Sequence, residues 1–136
     1  MTTKKVKKDA SAFDYKTIDS IEDAYKKVGF NPNNLPDISN VPDEFQKEAK
    51  ASVALFKLML FYKAINNGWV ARMGDDRQQK YFPWPWVSAS GFGFSGSGYV
   101  CDYTFTAVGS RLCTDTSEKA LFAFQKCEDL YKEWML

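Results

Sequence analysis

The sequence contains no histidine, and this absence limits its chemistry more than any motif does. Without an imidazole the chain cannot build a Ser-His-Asp or Cys-His arrangement, and it lacks the usual general base near neutral pH. Zinc sites with histidine ligands are excluded, and three scattered cysteines cannot form a four-thiolate site within one chain. We therefore predict a protein that is not an enzyme, with no catalytic residues, no metal site and no cofactor.

Cysteine is also scarce, and Cys101, Cys113 and Cys127 form no C-x-x-C pair. An odd number without paired spacing favours reduced thiols and hence a cytoplasmic location. No apolar run approaches the length of a membrane-spanning helix, and no apolar region follows the charged N-terminus as it would in a signal peptide. We therefore expect a cytoplasmic protein without a membrane partner.

The chain has almost no excess of charge, because it contains 18 basic and 17 acidic residues. The net charge of +1 gives no long-range electrostatic reason to bind nucleic acid, which we do not expect as the main partner. Residues 1–12 hold four closely spaced lysines. We predict a disordered basic tail there rather than a nucleic-acid-binding arm, and a single domain over residues 13–136.

Aromatic residues are concentrated in the middle of the chain. Phe82, Trp84 and Trp86 alternate with other residues, and Phe92 and Phe94 do the same. Because side chains two residues apart share one face of a strand, each set predicts a β-strand with an aromatic face. We therefore predict an antiparallel hairpin in this segment.

Residues 88–90 suit the short connection of this hairpin. In the register that places Trp86 opposite Phe92 and Trp84 opposite Phe94, one face becomes an aromatic ladder. Two interpretations of the ladder stay open. It is either core, covered by a helix, or a contact surface for another molecule.

Proline and glycine are few, and their positions within the aromatic segment are informative. Pro85 has no N–H for a ladder, so its strand should lie at a sheet edge or contain a bulge. Such an edge, with tryptophans near it, is also a candidate docking edge. The stretch GFGFSGSG matches neither common phosphate-binding motif, and we interpret residues 95–98 as a flexible hairpin tip.

Two helices are predicted before the aromatic segment. The first covers residues 21–28, with Ser20 as its N-cap and a glycine after its last turn. The second begins near residue 40 and continues to Asn67. From Val53 onward its apolar positions extend nearly around the cylinder, which predicts burial against the sheet and against another helix or a second subunit. A homodimer is therefore one expected assembly.

A last helix is predicted from a cap at residues 115–117 to Trp134. Further strands are predicted at residues 69–72, 99–105 and 106–112. The expected fold class is α+β, with two N-terminal helices of which the second is long and buried. A three- to four-stranded antiparallel sheet follows, and the C-terminal helix packs on the same sheet face.

Few charged residues within the predicted sheet and loops are candidates for binding a ligand or a metal ion. Arg111 suits recognition of an anion, or else it pairs with Asp102 or another acid in a structural role. The adjacent Asp75 and Asp76 suit a hard cation in principle, but beside an arginine we interpret them as solvated turn residues. The candidate binding residues are Trp84, Trp86, Phe92, Phe94, Tyr99 and Arg111.

The motifs K-Y-F-P-W-x-x-V, S-G-F-G-F-S and V-G-S-R-L-C occur in this order from residue 80 to residue 113. Together with L-P-D-I-S and A-I-N-N-G-W upstream, they resemble a group of small uncharacterised proteins carried by bacteriophages, prophages and other mobile elements. The likeness covers about residues 35–136, and it departs from the group's pattern at residues 73–79 and 114–116. It implies a phage or mobile-element context and supplies no catalytic residues.

In that context we expect a non-enzymatic accessory protein, located in the host cytoplasm, that counters host defence or takes over a host factor. Its partner would be a host protein, or a nucleotide-like small molecule that it sequesters. Two alternatives stay open: a virion-associated structural protein, and a small enzyme using Asp102, Tyr103 and Arg111.

Overall fold

A computed structural model describes residues 13–72, 74–75, 77–88, 91–100 and 110–136, and the chain is a mixed helix-and-strand fold. The regular elements are α1 (Ile21–Val28), α2 (Gln46–Asn66), β1 (Lys80–Ser88), β2 (Gly91–Val100), α3 (Ser117–Lys126) and α4 (Glu128–Met135). Short 3₁₀ helices lie at Tyr15–Thr17, Pro32–Asn34, Asp43–Phe45 and Ser110–Leu112.

Helix α1 has the bounds that its capping residues predict. The Ser20 hydroxyl accepts a hydrogen bond from the Asp23 N–H at 3.2 Å, and the Asp23 carboxylate accepts one from the Asp19 N–H at 3.0 Å. Gly29 ends the helix in the left-handed region, with φ of 76°, where glycine has no steric penalty. This prediction is confirmed.

Helix α2 begins later than predicted. Pro42 is extended, with φ −57° and ψ 150°, and the 3₁₀ turn Asp43–Phe45 precedes the first α-helical residue, Gln46. The Gln46 side-chain amide donates to the carbonyls of Ile38 at 2.8 Å and Val41 at 2.9 Å. These bonds hold the preceding segment as a turn against the helix start, so that segment does not join the helix.

The core forms around the C-terminal half of α2, which the sequence predicts to be buried. Its main contacts are with α1, α4 and the 3₁₀ turn Ser110–Leu112, whereas the hairpin packs mainly on α3. The C-terminal half of the helix is therefore buried largely by its own chain, as predicted, but the predicted packing against the sheet is not among its main contacts in the described structure. Its fully buried side chains are Ala54, Leu58, Phe61, Tyr62, Ala64 and Ile65.

A hydrogen bond between two tyrosines joins α2 to α4 inside this core. The hydroxyl oxygens of Tyr62 and Tyr131 lie 2.6 Å apart. Loss of hydration raises the pKa of both phenols, so both are neutral at physiological pH. The Tyr131 ring also contacts Phe124 of α3, with ring centroids 5.2 Å apart.

The C-terminal region consists of two helices, where the sequence predicts one. The Thr116 hydroxyl caps α3 by accepting from the Lys119 N–H at 3.2 Å, as the cap prediction requires. Cys127, with φ −118° and ψ 23°, then separates α3 from α4. The Cys127 N–H still donates to the Ala123 carbonyl, and its own carbonyl accepts from the Tyr131 N–H. The bend therefore interrupts the helix without leaving these groups unpaired.

The hairpin forms as predicted, but its register differs. Trp86 lies opposite Gly93 and Trp84 opposite Gly96, while Phe92 pairs with Val87. Residue 88 belongs to β1, so residues 89 and 90 alone separate the strands, and the shorter connection shifts the pairing. The predicted aromatic ladder is therefore wrong.

The prediction from Pro85 is confirmed, whereas the prediction for the glycine-rich stretch is wrong. The register shifts between Trp84 and Pro85, which confirms the bulge predicted from the proline. Residues 95–98, predicted as a hairpin tip, instead lie within β2. Their glycines pair with β1 and do not form the turn.

The other predicted strands are not confirmed in the described residues. Residues 69–72 form a loop. Tyr99 and Val100 end β2, residues 101–109 lie outside the described part of the chain, and Ser110–Leu112 is a 3₁₀ turn. The described residues contain a two-stranded antiparallel sheet, and Tyr81 forms an isolated bridge with Thr114.

Candidate functional site

The end of α2 turns the chain sharply. Asn67 adopts the left-handed conformation, with φ of 45°, and Gly68 follows with φ of 97°. The Trp69 N–H donates to the Asn66 carbonyl at 2.9 Å, and the Lys27 ammonium donates to the Asn67 side-chain oxygen at 2.7 Å. The segment after the turn forms one wall of a groove beside the helix.

This groove, which we call the α2 groove, has a volume of about 490 Å³. Its volume falls within the range of small-ligand sites, roughly 300–1,000 Å³. Apolar side chains dominate it, and two cationic side chains border it. Its described lining residues are Phe56, Met59, Leu60, Lys63, Asn66, Trp69, Val70, Ala71 and Arg111.

A second depression of about 270 Å³ adjoins the α2 groove. Both are lined by Lys63, Trp69 and Val70, and the second adds Lys27 and the turn that ends α2. Lys63 therefore borders both hollows, with Arg111 on one side and Lys27 on the other. The Val70 side chain is 67% exposed, which is high for an apolar residue beside an apolar floor.

The described side chains that line the two hollows carry charge of one sign. Their described ionisable lining residues are Lys27, Lys63 and Arg111, with no carboxylate among them. Within the described part of the chain, none of the three forms a salt bridge. Asp102, the predicted structural partner of Arg111, lies outside that part. A positive surface above an apolar floor results, and it favours an anionic ligand.

Asn66 fixes the position of Arg111 relative to α2. Its side-chain amide donates to the Cys113 carbonyl at 2.9 Å. Cys113 directly follows the 3₁₀ turn Ser110–Leu112, of which Arg111 is the middle residue. The Asn66 Oδ1 atom is buried without a partner in the described structure, so the Asn66 side chain is hydrogen-bonded through its NH₂ group and not through its oxygen.

Gln78 fixes the opposite wall. Its side chain donates to the Val70 carbonyl at 3.0 Å and accepts from the Arg72 N–H at 2.6 Å. The buried Lys80 ammonium, 0% exposed, donates to the carbonyls of Asp75 and Gln78. The loop between α2 and β1 is thus a support for the groove, and Lys80 and Gln78 are contributors that the sequence prediction missed.

Asp75 is a turn residue, as predicted. Its carboxylate accepts hydrogen bonds from the Arg77 N–H at 3.0 Å and from the Arg72 guanidinium at 2.8 and 3.0 Å. These bonds lower the pKa of Asp75, the Arg77 N–H contributing most. Asp76 lies outside the described residues, and no group of three potential metal ligands occurs within them.

Of the predicted binding residues, Arg111 and Phe92 have described side chains, and these two lie in different parts of the molecule. Arg111 is exposed and lines the α2 groove. Phe92 is half-buried, and its ring stacks on Phe124 of α3 with centroids 5.9 Å apart, which favours the core interpretation for this residue. The others lie on β1 or β2, and their side-chain surroundings fall outside the described structure: Trp84, Trp86, Phe94 and Tyr99.

The edge of β1 that faces away from β2 is poorly suited to pairing with an added strand. Tyr81 exchanges two hydrogen bonds of 2.8 Å with Thr114, so its N–H and C=O point away from β2. Because backbone groups alternate along a strand, Pro83 and Pro85 face the same edge. Neither has an N–H, so an added strand would find no donor at either position.

Both cysteines within the described residues, Cys113 and Cys127, are buried. Loss of hydration raises the pKa of Cys113 to about 11, although nearby Lys80 opposes the shift, and raises that of Cys127 to about 12. Both thiols therefore stay protonated near pH 7, and the nucleophilic thiolate is scarce.

No protein-family model matches this chain, and neither a curated protein sequence nor a solved structure matches it. None of the helices in the described ranges is long and apolar enough to cross a membrane.

Proposed function

We propose that this protein is a non-enzymatic accessory factor of a bacteriophage or mobile element, which binds a host protein through the α2 groove in the host cytoplasm. The observation that supports this most is the apolar groove bordered by Lys63 and Arg111, neither of which forms a salt bridge with a described residue. Its exposed Val70 and half-buried Trp69 offer apolar surface to a partner. Sequestration of a nucleotide-like anion is the alternative mode for the same groove.

The chemistry of the groove supports binding over turnover. Lys63 and Arg111 are its ionisable side chains among the described lining residues, and both are cations. General acid–base catalysis needs a group that accepts a proton. The described lining contains no carboxylate, and the sequence contains no histidine. The buried thiols are protonated, so they offer no nucleophile.

We also propose that residues 101–109 pair with the other edge of the hairpin, along β2, giving the three- to four-stranded antiparallel sheet with α3 on one face. The bridge between Tyr81 and Thr114 supports a larger sheet, because it pairs a segment from outside the hairpin with β1. Slow amide hydrogen exchange within residues 101–109 is the expected result. Fast exchange throughout this range would contradict the larger sheet.

The binding proposal is tested by capturing partners from host cells with the tagged protein and two matched variants. Val70→Asp places a charge on the groove wall, and Phe45→Asp places the same charge on a side chain that is 53% exposed and outside the groove lining. Both positions are exposed, so both variants should fold. A host protein recovered with wild type and Phe45→Asp, and lost with Val70→Asp, is expected.

The captured protein must then bind directly as a purified component with the same dependence on residue 70. Equal recovery with Val70→Asp would exclude the groove as the contact surface. Recovery with assembled virions in place of a host protein would favour the structural alternative.

A further inference from the structure

We infer that the α2 groove recognises an acidic peptide segment of the partner, whose carboxylates face Lys27, Lys63 and Arg111 while its apolar side chains contact the groove floor. This inference rests on the proposed binding function, and it adds the chemistry of the partner.

The arrangement of the two hollows favours a linear ligand. They are neighbours, because both are lined by Lys63, Trp69 and Val70, and each has a further cation of its own. Along α2 the groove extends from Phe56 to Asn66, about 15 Å at 1.5 Å per residue. That length matches about four to five residues of extended chain. A small anion would contact one hollow and leave the remaining cation unused.

The floor favours a ligand with apolar side chains as well as charge. Phe56, Met59 and Leu60 are half-buried and lie next to the exposed Val70. Covering this surface releases water from apolar area on both partners, which supplies affinity, whereas the surrounding cations supply orientation and specificity. A peptide with acidic residues beside leucine or phenylalanine meets both requirements.

Other occupants fit the charge less well. The chain's own basic tail has four lysines within residues 1–12 and would be repelled by the three cations. Two copies pairing groove to groove would place like charges opposite each other. A nucleic acid backbone requires a larger positive field than a chain of net charge +1 provides.

The test uses fluorescently labelled synthetic peptides of about 12 residues, long enough to span the groove in extended form. An acidic peptide of glutamate and leucine is compared with counterparts in which lysine or glutamine replaces glutamate. Fluorescence anisotropy gives the dissociation constants. Binding of the acidic peptide alone is expected, weakening as NaCl rises from about 50 to about 500 mM.

The protein variants locate the site. The double variant Lys63→Glu/Arg111→Glu should weaken binding of the acidic peptide by at least about tenfold. The control is Lys50→Glu, an exposed position on the same helix outside the groove lining. It should change the dissociation constant by less than about twofold, because its charge lies away from the ligand. Circular dichroism confirms that each variant is folded.

Three results would overturn the inference. These are equal binding of the glutamine peptide, no effect of the double charge reversal, and 1:1 binding of ATP or inorganic triphosphate that displaces the acidic peptide. The inference can fail while the proposed function stands. A purified host protein whose binding depends on Val70, but which acidic peptides do not displace, would show that case.

Discussion

The hydroxyl pair of Tyr62 and Tyr131 allows a sharp test of how the core is held together. The two oxygens lie 2.6 Å apart on side chains that are 0% and 1% exposed. Replacing one tyrosine by phenylalanine leaves the other hydroxyl buried, and no second partner for it is present in the described core. An unsatisfied buried hydroxyl costs about 1–3 kcal/mol. Replacing both removes the bond together with both polar groups, which is close to neutral.

The expected values follow from this asymmetry. Tyr62→Phe and Tyr131→Phe should each lower the free energy of unfolding by about 1.5 kcal/mol, and the double variant by about 0.5 kcal/mol. The coupling energy between the two positions is then about 2.5 kcal/mol, near the upper end for residues in direct contact. Urea unfolding at neutral pH, followed by circular dichroism, measures all three values, since a domain of this size commonly unfolds in a two-state manner.

Tyr15→Phe provides the control. The Tyr15 ring makes an edge contact with Phe122, with centroids 5.1 Å apart, and its side chain is only half-buried. Combining Tyr15→Phe with Tyr62→Phe should give additive effects. A Tyr62/Tyr131 double variant that loses the full sum of the two single losses would refute the reasoning, because the hydroxyls would then act independently.

Two further predictions concern the buried polar groups near the same core. Burial raises the pKa of Cys127 from 9.0 to about 12, so the folded state keeps a proton that the unfolded state loses above pH 9. Its contribution to stability is complete below pH 9 and declines as the pH rises toward 12. Urea unfolding across this range should show a steeper decline for wild type than for Cys127→Ala, and equal slopes would contradict the assignment. Asn66→Ala removes the donor to the Cys113 carbonyl and should lower the free energy of unfolding by about 1–3 kcal/mol. Lys50→Ala, at an exposed helical position, is the control for this variant. Equal small losses of unfolding free energy in the two variants would show that the Asn66 hydrogen bond contributes little to stability.

Features of the fold that depend on neighbouring residues were predictable from the sequence. The caps at Ser20 and Thr116 each require one side-chain oxygen and an N–H three residues later, and both form. Gly29 ends α1 because glycine tolerates positive φ. Pro85 predicts a bulge because a missing N–H is a local property, whatever packs around it.

Features that depend on a one-residue difference or on distant partners were not predictable. Including residue 88 in β1 shifts the pairing by one residue as far as Pro85, and the register shift between Trp84 and Pro85 adds a second. Residues 69–72 have the composition of a strand, but Gln78 bonds the backbone of Val70 and Arg72 and holds them as a loop. The bend at Cys127 has no glycine or proline to mark it.

In the candidate site, too, a residue that is distinctive in its local sequence was predictable, whereas residues brought together from distant segments were not. Arg111 was identified from the sequence because an isolated arginine in an apolar stretch is conspicuous. Its neighbours were missed, since Lys63 and Trp69 belong to a segment more than 40 residues earlier in the chain. The Asn66 bond to the Cys113 carbonyl joins these two segments, a contact between residues 47 positions apart.

Lys63 nevertheless offers a reason why the groove stays open. It follows Phe56 and Leu60 at helical spacing, so an ammonium group occupies a position in an otherwise apolar stripe. Burying an unpaired ammonium costs several kcal/mol, and no described carboxylate pairs with it. The chain therefore cannot close over this face as it closes over Leu58 and Tyr62 on the buried side of the same helix. The apolar side chains of the α2 groove favour contact with a partner, whereas burial of the Lys63 ammonium is unfavourable unless it is paired. A partner that brings an acidic group to Lys63 would meet both conditions.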